Sequence, residues 1–339
     1  MEDNYNMIKE KNYSSEEIEY LCDFFDFSVI NGVFLILIFI ISVIGNSLLI
    51  RILVNHENLK NVTNVFVLNL ACSDLIFTFT LPFWATYHLH HWIFSDFLCK
   101  FITWAYFFGL YSSVFILTAM TVDRFIIVVL HNWPNNHLRQ RKCAMGACTA
   151  AWVISFVTSL IDAMKMKVDH WSGDLVCDAS PDIDVGYYVQ LSLLFFLPFA
   201  INIFFNCAII KTVLKASNKN KQRAIAMVLC VVTAFFICWG PYNILLLIMS
   251  FYEPTACKSL KQLDIAYNIC RMLAFSHCCL NPLLYMLSQK LRKHFCHLLS
   301  CETVCWKNRQ NSSRQNISVN QNIAFTAQTS AVMLELHNT

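Results

Sequence analysis

Apolar residues in this chain are grouped in long blocks and do not alternate with polar ones. The blocks fall at about 28–54, 64–89, 99–129, 143–164, 187–214, 222–251 and 264–287. A helix of about 20 apolar residues crosses a hydrocarbon core of roughly 30 Å, so each block predicts one transmembrane helix. The fold class expected is an all-α membrane protein, a seven-transmembrane-helix bundle over 28–287. It is preceded by an acidic segment (1–27) and followed by a short amphipathic eighth helix (288–300) and a disordered tail (301–339). Six spans and a buried hairpin would fit worse, because every block is long and basic connections alternate with acidic ones. No internal repeat of the transporter kind is visible.

Charge sets the orientation. Arg51, Lys60, Arg139, Arg141, Lys142, Lys211, Lys215, Lys219, Lys221, Arg223, Lys290, Arg292 and Lys293 crowd one side, against Lys100, Lys165, Lys167, Lys258 and Lys261 on the other. The positive-rich side is expected to be cytoplasmic, which makes the protein a multi-pass plasma-membrane protein with its N-terminus outside. Composition agrees: 57% of residues are hydrophobic and 14% charged, where soluble domains carry about a quarter charged. Residues 1–27 lack the basic start and apolar core of a cleaved leader, so the first span is the expected signal.

Topology also sorts the sixteen cysteines. Cys22, Cys99, Cys177 and Cys257 lie on the outer, oxidising side, where disulfides persist. Four cysteines allow three pairings. From position, Cys99 with Cys177 would pin the second outer loop over the bundle, and Cys22 with Cys257 would tie the N-terminal segment to the seventh helix. Cysteines within the spans read as small packing residues. Cys296, Cys301 and Cys305, after a basic stretch, are candidates for acylation.

Charges inside a span are costly and default to function. Asp74 sits in the middle of the second block, with Asn46, Ser113, His277 and Asn281 at similar depth on others. These groups suit either a sodium ion or water cluster, since hard cations take oxygen ligands, or plain hydrogen bonds from Asn46 and Asn281 to Asp74. Asp123-Arg124 closes the third block at the cytoplasmic side, and Pro82, Pro198, Pro241 and Pro282 interrupt helices. A proline removes a backbone hydrogen bond and permits a kink.

One set of landmarks per helix now stands in order. Gly45-Asn46, Leu70 with Asp74, Asp123-Arg124, Trp152, Pro198, Cys238-Trp239-Gly240-Pro241 and Asn281-Pro282-Leu283-Leu284-Tyr285 together resemble the rhodopsin-like G-protein-coupled receptors across residues 30–300. Thr80-Leu81-Pro82, Trp84, Trp92, His277-Cys278-Cys279-Leu280-Asn281-Pro282 and the four outer cysteines are similar to chemokine receptors. The runs at 239–243 and 269–285, with Arg271 where most of that family has glutamate, resemble its XC-type subfamily.

The resemblance implies that Trp84, Tyr106, Asp162, Tyr242 and Arg271 face the bundle mouth. It implies that Arg271 pairs with Asp162, Asp264 or a ligand carboxylate, and that the Asp74 cluster holds sodium. Asp123, Arg124, Trp239, Pro241, Asn281, Pro282 and Tyr285 would form the switch that couples to a heterotrimeric G protein of the inhibitory type. Arrestin would engage the Ser/Thr-containing tail. Two positions depart from the family: Phe125 replaces a tyrosine after Asp123-Arg124, and Asn206 replaces a tyrosine eight residues after Pro198. They favour a rival reading, a scavenging receptor that internalises ligand without G-protein signalling.

Residues 1–27 hold eight acids against two lysines, a net charge of −6, and the second outer loop adds Asp169, Asp174, Asp178, Asp182 and Asp184. Such a mouth steers cationic ligands. The resemblance narrows this to a basic, lymphotactin-like chemokine. Tyr20, among acids, is a candidate for sulfation and for contact with the ligand, the alternative being an unmodified tail, and Asn12 heads a glycosylation triplet on the outer side. His88, His90 and His91 read as a solvated loop cluster. No metal-ligand helix pair and no nucleophile–base pattern is present, so an enzyme is not expected. Nor is a nucleic-acid partner.

Overall fold

The structure, a computed structural model, describes residue 22 and residues 24–130, 137–171, 173–179, 185–214, 219–252 and 256–286. Asn12, Tyr20, the helix expected over 288–300, the tail and its cysteines lie outside these residues.

Six helices are each long and apolar enough to cross a membrane: α1 (Ser28–Asn55), α2 (Val62–Leu89), α3 (Asp96–Phe125, continued by a π-helical turn, Ile126–Leu130), α4 (His137–Met164), α5 (Val185–Leu214) and α6 (Lys219–Phe251). Their outer faces carry side chains no aqueous surface would tolerate in such density. Leu197 is 63%, Phe204 67% and Ile237 61% exposed, a surface that suits lipid. Side chains cap two starts: Asn61 accepts from Thr63 N and Ser95 from Leu98 N, satisfying amides that have no partner in a first helical turn.

The seventh predicted span is a pair of helices, α7 (Cys257–Phe275) and α8 (His277–Met286), parted at Ser276. Local competition for carbonyls explains the break. The Ser276 hydroxyl donates to Leu273 O at 2.6 Å, and His277 Nδ1 lies 2.8 Å from Ala274 O. Further on, Pro282 has no N–H for the carbonyl of Cys278. That carbonyl accepts instead from Asn46 Nδ2 at 2.9 Å and Ser42 Oγ at 3.2 Å. Asn46 thus supplies from α1 a donor that α8 lacks.

Helix α3 is central, packing against α2, α4, α5 and α6. At Gly109 it comes close to α2: a Cβ there would stand 2.7 Å from Phe77 N and 2.8 Å from Phe77 Cβ.

In the connection between α4 and α5 the chain forms an antiparallel hairpin, β1 (Met166–Trp171) and β2 (Asp174–Ala179), with Val168 opposite Cys177 and His170 opposite Leu175. Gly173 takes φ +97° in the turn, a conformation glycine adopts without a Cβ penalty. An all-helical expectation missed this hairpin, although its alternation is legible: Met166, Val168, Leu175 and Cys177 share one face, against Trp92, Cys99 and Ile102. Disulfides join Cys99 to Cys177 and Cys22 to Cys257, the pairing expected from position. Two further bonds moor the hairpin, Val168 N to Asp96 Oδ1 at 3.0 Å and Trp92 N to Leu175 O at 2.8 Å.

Candidate functional site

At the disulfide-bearing end the helices enclose an open cavity of about 780 Å³. Trp84, Tyr106, Tyr242 and Arg271 stand on its wall with Asp178 of the acidic loop, and so do His88, Tyr87 and Tyr267, which sequence reasoning did not place there. His88 belongs to the last turn of α2 and is half-buried, whereas His90 and His91 are exposed. The expectation of a solvated histidine loop therefore fails for His88, which lies inside the 64–89 apolar block and in the last turn of the helix that block forms.

Arg271 makes neither of the intramolecular ion pairs expected of it. Its Nη2 donates to Asn268 Oδ1 at 3.1 Å, and its guanidinium carbon lies 5.2 Å from the Tyr267 ring centroid. Asn268 also accepts from Asn31 at 2.9 Å and donates to Asp264 Oδ1 at 3.0 Å. Asp264 is therefore linked to Arg271 through one amide and not directly. Asp162 is elsewhere: fully buried, it accepts from Tyr111 Oη at 2.6 Å and is not on the cavity wall. The position ten residues beyond Trp152 turns toward α3, and Tyr111 satisfies it there.

Beneath the cavity lies an aromatic cluster centred on Trp239, 2% exposed, with Phe77, Phe275, Tyr242 and His277 at 5.3–6.4 Å between ring centroids. Pro241 follows in α6, where Asn243 Nδ2 donates to Trp239 O at 2.9 Å.

Next comes the polar centre. Asp74, fully buried, accepts from Asn281 Nδ2 at 2.6 Å and from Ser113 Oγ at 3.2 Å, and His277 Nε2 stands 3.9 Å away. Asn46 does not bond to Asp74. Its amide nitrogen is taken up by Ser42 and Cys278, and its Oδ1 is buried without a hydrogen-bond partner. A carboxylate, a hydroxyl and an unsatisfied amide oxygen are the donor types a hard cation takes. The residues present thus fit a sodium ion.

At the opposite end, Arg124 Nη2 donates to Thr63 Oγ1 on α2 at 2.6 Å and lies 3.2 Å from Asp123 Oδ2. Asp123 Oδ2 has no aligned hydrogen bond, so Thr63 holds the arginine's direction and Asp123 its charge. Phe125 packs on Phe205 of α5, centroids 4.5 Å apart, an apolar contact in place of the missing phenol. Asn206 Oδ1 is buried and unpartnered. Tyr285 belongs to α8, with its side chain outside the described residues.

A mouth, an aromatic cluster, a buried carboxylate and a restrained arginine at the far end define a seven-helix receptor. Comparison with known proteins agrees. Residues 45–285 match the family described as 7 transmembrane receptor (rhodopsin family). The human chemokine XC receptor 1 is 37% identical over 273 residues, covering 78% of this chain and 79% of that one. Its mouse counterpart is 37% identical over 286 residues (83% and 86%). The guinea-pig C-C chemokine receptor type 3 is 35% identical over 279 residues (77% and 76%). The chain belongs to the chemokine receptors of the rhodopsin family, and it is not an enzyme.

Proposed function

We propose that the chain is a plasma-membrane receptor with its N-terminus outside, which binds a basic, lymphotactin-like chemokine at the disulfide-bearing end and activates an inhibitory-type heterotrimeric G protein at the Arg124 end. The observation that carries this reading is the pairing of an open 780 Å³ mouth with an arginine restrained at the opposite end. Likeness to the chemokine XC receptors supports the choice of ligand. Arrestin would dock on the Ser/Thr-containing tail. A screen of labelled chemokines on cells expressing the chain, read for binding and for G-protein activation, tests it. Binding by no chemokine sinks the ligand assignment. Binding with internalisation but no activation establishes the scavenger, a reading favoured by Phe125 packed on Phe205 and by the unpartnered Asn206.

Capture by the acidic segment predicts salt dependence, because exposed charges are screened over about 8 Å at physiological ionic strength. Chemokine Kd should rise with salt, and deleting residues 1–21 should weaken binding and flatten that dependence. Unchanged binding in the deletion variant would remove the capture step.

Sodium at Asp74 is part of the proposal. The ion would neutralise a carboxylate that otherwise relies on Asn281 and Ser113. Agonist affinity should fall when sodium replaces choline in the buffer, and Asp74→Asn should abolish the difference. Equal affinities in both buffers for the unmodified chain would exclude the ion.

A further inference from the structure

At the Arg124 end, between α2 and α4, lies an open cavity of about 230 Å³ that plays no part in the reading above. Arg141, Cys148 and Trp152 recur at helical spacing and line it from α4, and Val65 and Leu68 line it from α2. Met145 and Thr149, also on its wall, are exposed, so the cavity opens at the surface of the bundle. The polar side chains at its deep end are bonded to the protein. Trp152 Nε1 donates to Asn69 Oδ1 at 3.0 Å, and Asn69 Nδ2 donates to Val65 O at 2.8 Å.

Arg141 at the shallow end is different. Its Nε is buried without a hydrogen-bond partner, and among the described residues no carboxylate stands within ion-pair distance of it. A buried donor left unmatched is costly. The surroundings offer little negative charge. Lys60 is exposed just before α2, and Arg139 and Lys142 are exposed on α4. Residues 51–65 and 137–152 contain one acid, Glu57. A guanidinium matches a phosphate with two parallel N–H donors, and a basic rim attracts an anionic leaflet surface. Length adds a second constraint. Arg141 and Trp152 are 11 residues apart on one helix, or about 16 Å at about 1.5 Å per residue. That is close to half of a hydrocarbon core of roughly 30 Å, the depth of one leaflet.

We propose that this cavity binds one anionic phospholipid of the cytoplasmic leaflet, its phosphate held by Arg141 and one acyl chain laid along the groove to Trp152. A soluble phosphate would leave the apolar walls uncovered, and a sterol would leave Arg141 without an anion. The choice of leaflet rests on the orientation proposed above, whereas capture of the lipid does not.

The test uses full-length receptor purified in detergent, where orientation has no influence. Dioleoyl-phosphatidylserine and dioleoyl-phosphatidylcholine, which differ only in headgroup, are titrated in, and bound lipid is counted by native mass spectrometry. The first phosphatidylserine should bind about tenfold more tightly than phosphatidylcholine, the low end for a charge-assisted hydrogen bond. Arg141→Gln should cut that preference to about twofold, the remainder coming from the basic rim. Arg139→Gln, which changes the same charge off the cavity wall, should leave the preference as it is. Thr149→Trp, which fills the groove from its edge without changing charge, should remove the tight site. Glycerophosphoserine, the same headgroup without chains, should not compete. Equal affinity for the two lipids, a preference that survives both Arg141→Gln and Thr149→Trp, or displacement by glycerophosphoserine would overturn the proposal. Cholesterol binding more tightly than phosphatidylserine, and unaffected by Arg141→Gln, would give the cavity to a sterol and overturn it too. Should Arg141→Gln fail to fold, the headgroup ranking and Thr149→Trp decide.

Discussion

Replacing Arg124 by alanine should abolish G-protein activation while chemokine affinity stays within about threefold of the parent, since the residue lies at the far end of the bundle from the mouth. In the structure this arginine is restrained twice, by a hydrogen bond to Thr63 on α2 and by the charge of its neighbour Asp123. On the proposed mechanism, activation requires that it leave both and present its guanidinium to a partner helix. A ligand shifts that balance only by its differential affinity for the two bundle arrangements. The Thr63 bond is made to an ion and contributes on the order of 1.5–3 kcal/mol to the restrained state if it is wholly lost on activation. Thr63→Val should therefore raise ligand-independent activation, by about tenfold for each 1.4 kcal/mol removed. The pair of variants separates two roles. Arg124→Ala removes the element that touches the partner, and Thr63→Val removes only a clamp on it. Activation that survives Arg124→Ala would rule out this mechanism.

Gly109→Val should be strongly destabilising, because among the described glycines this is the one whose added Cβ would meet backbone atoms. The added Cβ would sit 2.7–2.9 Å from the backbone N and Cα of Phe77 and from its Cβ. Because these atoms belong largely to the backbone of α2, no rotamer change relieves the overlap, and α2 and α3 must separate. Overpacking of this kind costs about 1–3 kcal/mol or more. Here it also displaces Phe77 from Trp239 and His277, whose rings lie 6.3 and 4.7 Å away. Solubilised receptor should show a Tm several degrees lower and reduced surface expression. Gly146 on α4 is the control, since a Cβ there meets nothing within 4 Å. Gly146→Ala should leave Tm unchanged or raise it slightly through better helix propensity. Equal Tm for the parent and Gly109→Val would refute the close approach.

Much of the fold was legible because lipid imposes simple rules on a chain. Block length marked six helices to within a few residues at most ends, and the sidedness of Lys and Arg separated four cysteines from twelve. Positional logic then paired those four. What escaped was local hydrogen-bond accounting. Asn46 was assigned to Asp74 by depth, yet it answers a carbonyl that Pro282 leaves without a donor. Arg271 was offered carboxylates by charge, yet an asparagine intervenes. Thr63 carried no signal at all, since a threonine at a helix start reads as an ordinary first-turn residue. These are three-dimensional coincidences between helices. Periodicity along one helix does not contain them.

The mooring of the outer hairpin has a consequence for how receptors meet one another. A two-stranded ribbon has two free edges, each a template for pairing with a foreign strand. Here Val168 N on the β1 edge is given to Asp96, and Leu175 O on the β2 edge is taken by Trp92 N. Both lie at outward-pointing positions of the ladder, two residues apart in its register. Val168 lies near the middle of β1 and Leu175 near the turn end of β2, so each edge has one position already taken. A neighbouring copy's hairpin therefore meets an interrupted edge on either side, and the ribbon lines the mouth of its own receptor.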